Sequence, residues 1–110
     1  MKIQQTDDFE SQAKKLLKKY PSLKNDLLEL RDSLKQDPFQ GTPLGKDCYK
    51  IRLAISSKGQ GKSGGGRVIT CVKVVHDTVY LIAIYDKSEK ENLTDKELKA
   101  MLAAAGLLKK

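Results

Sequence analysis

Lys50 and Arg52 stand two residues apart in the run Tyr49-Lys50-Ile51-Arg52-Leu53, and Arg67 and Lys73 flank the next apolar run. Side chains alternate across a strand, so Lys50 and Arg52 share a face opposite Tyr49, Ile51 and Leu53. By the same parity Arg67 and Lys73 share a face opposite Val68 and Val72. If both apolar faces turn toward helices, the four cations converge on the open face of one sheet. Like charges on one face repel, a cost that a bound anion offsets. Fixed positive charge on a rigid surface suits phosphate, and can stabilise charge developing on phosphate oxygens during transfer.

These residues belong to a wider basic field. Between Lys46 and Lys73 lie seven basic residues (Lys46, Lys50, Arg52, Lys58, Lys62, Arg67 and Lys73) and one acid, Asp47. The excess of six nearly equals the formal net charge of +7 of the 110-residue chain. That concentration, with a pI near 9.4, favours a polyanionic partner such as nucleic acid. Lys58 and Lys62 fall in the glycine-rich stretch Ser56–Gly66, read as a mobile basic loop, and with Lys46 and Lys73 they are assigned to attracting nucleic-acid phosphate. Gly61-Lys62-Ser63 resembles the end of a phosphate-binding P-loop. The position of that motif's first glycine is Ser56, however, and a strand follows where a helix is required, which excludes nucleotide hydrolysis. Tyr85 and Lys87 close the last apolar run. Parity places Tyr85 with Val79 and Leu81, where it can be core, or it can stack on a base or donate a proton at the strand end. His76 is the single histidine, so a His/Cys metal cluster of ordinary spacing is not available. Neither metal nor cofactor is expected.

The elements that must position these side chains are legible as periodicity. Residues 2–5 suit a short edge strand. Thr6 caps a first helix, with Phe9, Ala13, Leu16 and Leu17 on one face, and Tyr20-Pro21 ends it. Ser22 caps a second, with the stripe Leu23, Leu27, Leu30 and Leu34, and with Asp26 among the polar residues outside it. A turn-rich connection covers 38–47. Strands follow at about 48–56, 66–75 and 78–86, the last apolar on both faces and therefore central. Thr94-Asp95-Lys96-Glu97 is a capping box opening a helix with Leu98, Met101, Leu102 and Ala105 on one face, and Gly106 suits its C′ position. The reading is one α+β domain over 1–110: two N-terminal helices packed on an antiparallel sheet of about four strands, with a C-terminal helix. Cys48 and Cys71 fall inside strands. With no signal-peptide pattern ahead of them, a cytoplasmic setting and reduced thiols are expected, a disulfide between them being sterically conceivable. No apolar run approaches the roughly 20 residues of a membrane span.

The order helix, helix, Gly/Pro turn, Tyr49-Lys50-Ile51-Arg52, loop, Arg67-Val68-Ile69, hairpin, Ile84-Tyr85-Asp86-Lys87, helix resembles the RelE/ParE superfamily of type II toxin–antitoxin toxins, on the RelE and HigB-like branch. The resemblance covers nearly the whole chain. It rests also on Asp47-Cys48-Tyr49-Lys50-Ile51-Arg52-Leu53 and Gly66-Arg67-Val68-Ile69. It implies a microbial-RNase-like fold and a ribosome-dependent, metal-independent mRNA interferase that cuts in the ribosomal A site through attack of a ribose 2′-hydroxyl on the adjacent phosphate. It implies a cognate antitoxin as partner, with operator DNA reached only through that antitoxin. By the same resemblance Lys50 and Arg52 hold the phosphate, one of them helping to activate the 2′-hydroxyl. Arg67 stabilises charge on the cleaved phosphate, and Lys87 takes the place of an arginine near the strand end. The family's tyrosine in the C-terminal segment has no match, since Leu93 stands there, and Tyr85 is the candidate substitute. Two other readings stay open: a ParE-like gyrase poison, and a basic RNA-binding module that does not cut.

Overall fold

A computed structural model describes residues 1–59, 64–90 and 92–108. Strand β1 (Lys2–Gln5) leads into helix α1 (Asp7–Lys19) and helix α2 (Leu23–Gln36); strands β2 (Thr42–Gly45) and β3 (Cys48–Leu53) follow. A short 3-10 turn, Ser56–Lys58, precedes β4 (Gly66–Lys73), and a second, Val74–His76, joins β4 to β5 (Thr78–Asp86). Helix α3 (Asp95–Ala104) closes the described chain. The sheet has five strands in the order β1-β5-β4-β3-β2. It is mixed, because β1 pairs parallel with β5 while every other pairing is antiparallel.

The helices form where the sequence places them. Thr6 caps α1 by accepting from the Phe9 N–H, and Asp7, Asp8 and Glu10 sit at the positive end of the helix dipole. Phe9, Ala13 and Leu16 are buried against the sheet, whereas Leu17 is exposed. Two features of α2 differ from expectation. The Ser22 side chain makes no cap bond to the helix backbone. Its hydroxyl instead donates to Asp26 at 2.9 Å. Asp26 is not on the polar face but buried, and accepts from the Ser56 N–H and hydroxyl at 3.0 and 2.7 Å. It thus ties α2 to the 3-10 turn that follows β3.

Strand β2 lies within the segment read as a turn. Its sequence, Thr-Pro-Leu-Gly, has a weak strand signature, and its edge position is what tolerates Pro43. The second strand is shorter than read from the sequence: Val74 and Val75 leave the ladder and are exposed.

The sheet is covered on both faces. One face packs under α1 and α2 through Ile51, Leu53, Val68, Val72, Val79, Leu81 and Ile84. The other carries Cys48, Ile69, Cys71, Ile82 and Ala83 beneath Leu98, Leu102 and Leu107 of the C-terminal segment. The face expected to be open is therefore largely roofed by α3. The capping box on Thr94 and Glu97 starts that helix, and Gly106, at φ +72°, ends it in the left-handed conformation. Among the described residues no helix is long and apolar enough to cross a membrane.

Candidate active site

The ladder between β3 and β4 sets Arg52 directly opposite Arg67 and Lys50 opposite Ile69. The Val72 N–H donates to the Asp47 carbonyl at 2.9 Å, which makes 47 and 72 a hydrogen-bonded pair. Pair types alternate along an antiparallel ladder, so Arg52–Arg67 is a non-hydrogen-bonded pair, the type in which side chains lie closer. The two arginine side chains thus leave directly opposed backbone positions on one face of the sheet.

Tyr85 completes the row. Parity in β5 placed it with Val79 and Leu81, under the α1–α2 layer, and the structure corrects this. Ile69 pairs with Ala83 but Thr70 pairs with Leu81, so Ile82 is an extra residue, a β-bulge. Ile82 and Ala83 both face the α3 side, Ile84 faces the α1–α2 side, and Tyr85 emerges on the α3 side opposite Arg67. Arg52, Arg67 and Tyr85 therefore form one transverse row across β3, β4 and β5. Exposure falls inward: Arg52 is exposed, Tyr85 half-buried, and Arg67 only 5% exposed. Arg67 donates from Nη1 to the Gly66 carbonyl at 2.9 Å. The Tyr85 hydroxyl is buried, with the Leu93 backbone beside it. Burial pushes its pKa up, against the pull of the Leu93 backbone and the Arg67 charge, so the phenol holds its proton at neutral pH.

Lys50, one row along, donates to Asn92 Oδ1 at 3.0 Å, which joins the segment before α3 to the site. Lys87 is exposed just beyond β5, its N–H donating to the Gly65 carbonyl. Other members of the basic field are placed elsewhere. Lys73 does not converge with the arginines: it sits six residues from Arg67 along β4, about 20 Å at strand rise, and pairs with Asp47 at 3.1 Å. Lys46 reaches Asp95 at 3.6 Å. Lys58 is not on an open loop. It is turned inward, 7% exposed, and pairs with Asp86 at 2.6 Å. Lys62 lies outside the described residues.

Asp86 was missed as a structural centre. It is fully buried and also accepts from Tyr20 Oη at 2.6 Å and from the Ser88 N–H and hydroxyl. Burial pushes its pKa up, but the Lys58, Tyr20 and Ser88 bonds outweigh it and hold the carboxyl well below the ordinary value. Lys58 Nζ also approaches the Gly65 carbonyl at 3.5 Å, so Asp86 and Lys58 together staple both ends of the glycine-rich loop beside the arginine row. A lone carboxylate ending an apolar strand was the available signal, because such a group is not buried without a cation. No group of three or more His, Cys, Asp or Glu able to hold a metal occurs among the described residues.

Fold and site together define a small basic α+β protein with a paired-arginine row on a mixed sheet. The family described as the RelE toxin of the RelE/RelB toxin–antitoxin system matches residues 1–110. The chain belongs to this toxin family. Among solved structures, it is similar to an E. coli toxin RelE double arginine-to-alanine mutant in the free state, with a TM-score of 0.51 and 19% identity over 96% of this chain and 93% of that one. At that identity the likeness carries the fold alone. No curated protein sequence matches.

Proposed function

We propose that this toxin is a ribosome-dependent mRNA endonuclease that inhibits translation, acting through the row Arg52–Arg67–Tyr85 with Lys50 beside it. The single observation that supports this reading is the direct pairing of two arginines on adjacent strands. That arrangement destabilises an empty sheet and suits a bound phosphate. In the reaction the 2′-oxygen attacks the adjacent phosphorus in line, the P–O5′ bond breaks, and a 2′,3′-cyclic phosphate and a 5′-hydroxyl result. Lys50 and Arg52 hold the phosphate, and one of them helps the 2′-hydroxyl lose its proton. Arg67, buried and fixed by Gly66, stabilises the charge on the equatorial oxygens. Tyr85, protonated beside Arg67, donates to the leaving 5′-oxygen once substrate displaces the Leu93 backbone from its hydroxyl. Lys87 attracts the flanking strand from the rim.

The cognate antitoxin is the protein partner. A groove of about 560 Å3 between β1, α1 and α2 suits it: exposed Leu17 and Leu28 are rimmed by Lys14, Lys24 and Arg31 against one acid, Glu10, and an acidic amphipathic segment matches that net positive pattern.

Primer extension on a message under translation tests the reading. Wild-type protein should give cuts phased with the ribosome, and Arg52→Ala and Arg67→Ala should each reduce cleavage by about 10²–10³-fold. Arg52 is exposed, so its variant should keep the wild-type melting temperature. Tyr85→Phe should slow cleavage while leaving ribosome binding unchanged. Full cleavage by both arginine variants would overturn the assignment. DNA-damage signalling without message cuts would point instead to a topoisomerase as target.

A further inference from the structure

Two thiols stand apart from the arginine row and have no part in it. Cys48 and Cys71 are directly paired across β3 and β4. They are free and buried, 1% and 0% exposed. The hydrogen bond from the Val72 N–H to the Asp47 carbonyl fixes the neighbouring pair as hydrogen-bonded, so 48–71 is a non-hydrogen-bonded pair. In such a pair the Cα atoms approach to about 4.5 Å, inside the roughly 4.4–6.8 Å that a disulfide spans. Both thiols also aim at one acceptor, the Lys46 carbonyl, at 3.4 Å from Cys48 Sγ and 3.9 Å from Cys71 Sγ. The turn that presents this carbonyl has Lys46 and Asp47 in the left-handed region, at φ 55° and 65°. The two sulfurs are therefore held on the same side of the sheet and turned to a common point.

We propose that Cys48 and Cys71 are a reversible disulfide site, closed by exchange with a low-molecular-weight disulfide, which clamps β3 to β4 behind the arginine row. Either sulfur can attack first and the product is the same; with Cys71 first, its contact with Cys48 lowers its pKa, burial opposes this and the Lys73 charge assists it. The Cys71 thiolate attacks one sulfur of the small disulfide, breaking that S–S bond and releasing one small thiolate, which takes up the proton that Cys71 lost. A mixed disulfide remains on Cys71. Cys48, losing its proton to the second small thiolate as that leaves, then attacks the Cys71 sulfur and forms the Cys48–Cys71 bond. Two protein thiols and one small disulfide become one protein disulfide and two small thiols. Leu98, Leu102 and Leu107 roof the pair and must part for the reagent to enter, so the informative quantity is the equilibrium after long incubation. The bridge closes residues 48–71 into a covalent loop and ties together the strands that carry Lys50, Arg52 and Arg67.

The test is equilibration of the full chain in buffers of oxidised and reduced glutathione over a range of ratios, followed by acid quench, alkylation and intact mass. The expected product has lost the mass of two hydrogens, takes up no alkylating agent, carries no glutathione, and melts at a higher temperature than the reduced chain. Cys48→Ser and Cys71→Ser should each lose this product. Two alkylatable thiols at every ratio, stable glutathione adducts without a bridge, or disulfide-linked dimers would each overturn the assignment. None of these measurements involves RNA cleavage.

Discussion

Asp86 has its carboxylate wholly removed from solvent and surrounds it with Lys58, Tyr20 and Ser88. A buried ion pair contributes little net stability when intact, but breaking it leaves an uncompensated charge. Asp86→Asn should therefore cost about 3–5 kcal/mol, read by urea unfolding at neutral pH. The pH dependence follows from the direction of the shift. The folded-state pKa lies below the ordinary 3.8, so the stabilisation is fully present above the unfolded-state pKa. It is lost as the pH falls through 3.8 toward the folded-state value. Unfolding free energy of the wild type should drop steeply in that acid range, and the asparagine variant should lack this component. Nothing near Lys58 in sequence announced this pair, because its partner lies 28 positions away. Lys50 and Arg52 were legible from parity alone, since β3 has an unbroken register with β4.

Helix α3 decides how much of the cationic face remains open. Its first turn is held by the reciprocal bonds between Thr94 and Glu97 and by Lys46 and Lys90, which pair with Asp95 and Glu97. The Lys90 bond, with the Thr94 contacts, brings the Glu97 carboxyl down to about 2. Thr94→Ala removes the cap, a loss of about 1 kcal/mol, and hydrogen exchange of the α3 amides should speed up about fivefold. Unchanged exchange would mean that packing of Leu98 and Leu102 holds the first turn without its cap. The capping box was readable because it is a local pattern. Strand β2 was not, because its four residues pair with β3 only through the fold and carry a proline.

At the scale of the whole molecule, the net charge of +7 is distributed unevenly in use. Lys46, Lys58 and Lys73 are engaged by Asp95, Asp86 and Asp47, so the field that reaches solvent near the site comes from fewer groups than the sequence count suggests. The groove rimmed by Lys14, Lys24 and Arg31 lies between β1 and the two helices. Association with an acidic antitoxin segment should weaken as salt rises, chiefly through a slower on-rate. Leu28→Asp should weaken it at all salt concentrations through a faster off-rate, measurable by surface-immobilised kinetics. Salt-independent association would place the antitoxin on another surface.

Sequence alone determined the helices, the central strand, the capping box, the basic excess and the sharing of a face by Lys50 and Arg52. Each of these is a local or strictly periodic property, set by 3.6- and 2-residue repeats that persist whatever the distant partners are. Tertiary structure alone decided which cations stand together on one face. The bulge at Ile82 shifts the parity of β5 and brings Tyr85 to Arg67. Asp86 turns Lys58 inward, Asp47 ties Lys73 at the far end of β4, and α3 roofs the face between. Strand parity names the faces of a strand, but an extra residue in one ladder exchanges them, and a charge is committed only when a counter-charge reaches it through space. The four convergent cations read from the sequence thereby become a paired-arginine row with Lys50 beside it and a tyrosine at its inner end.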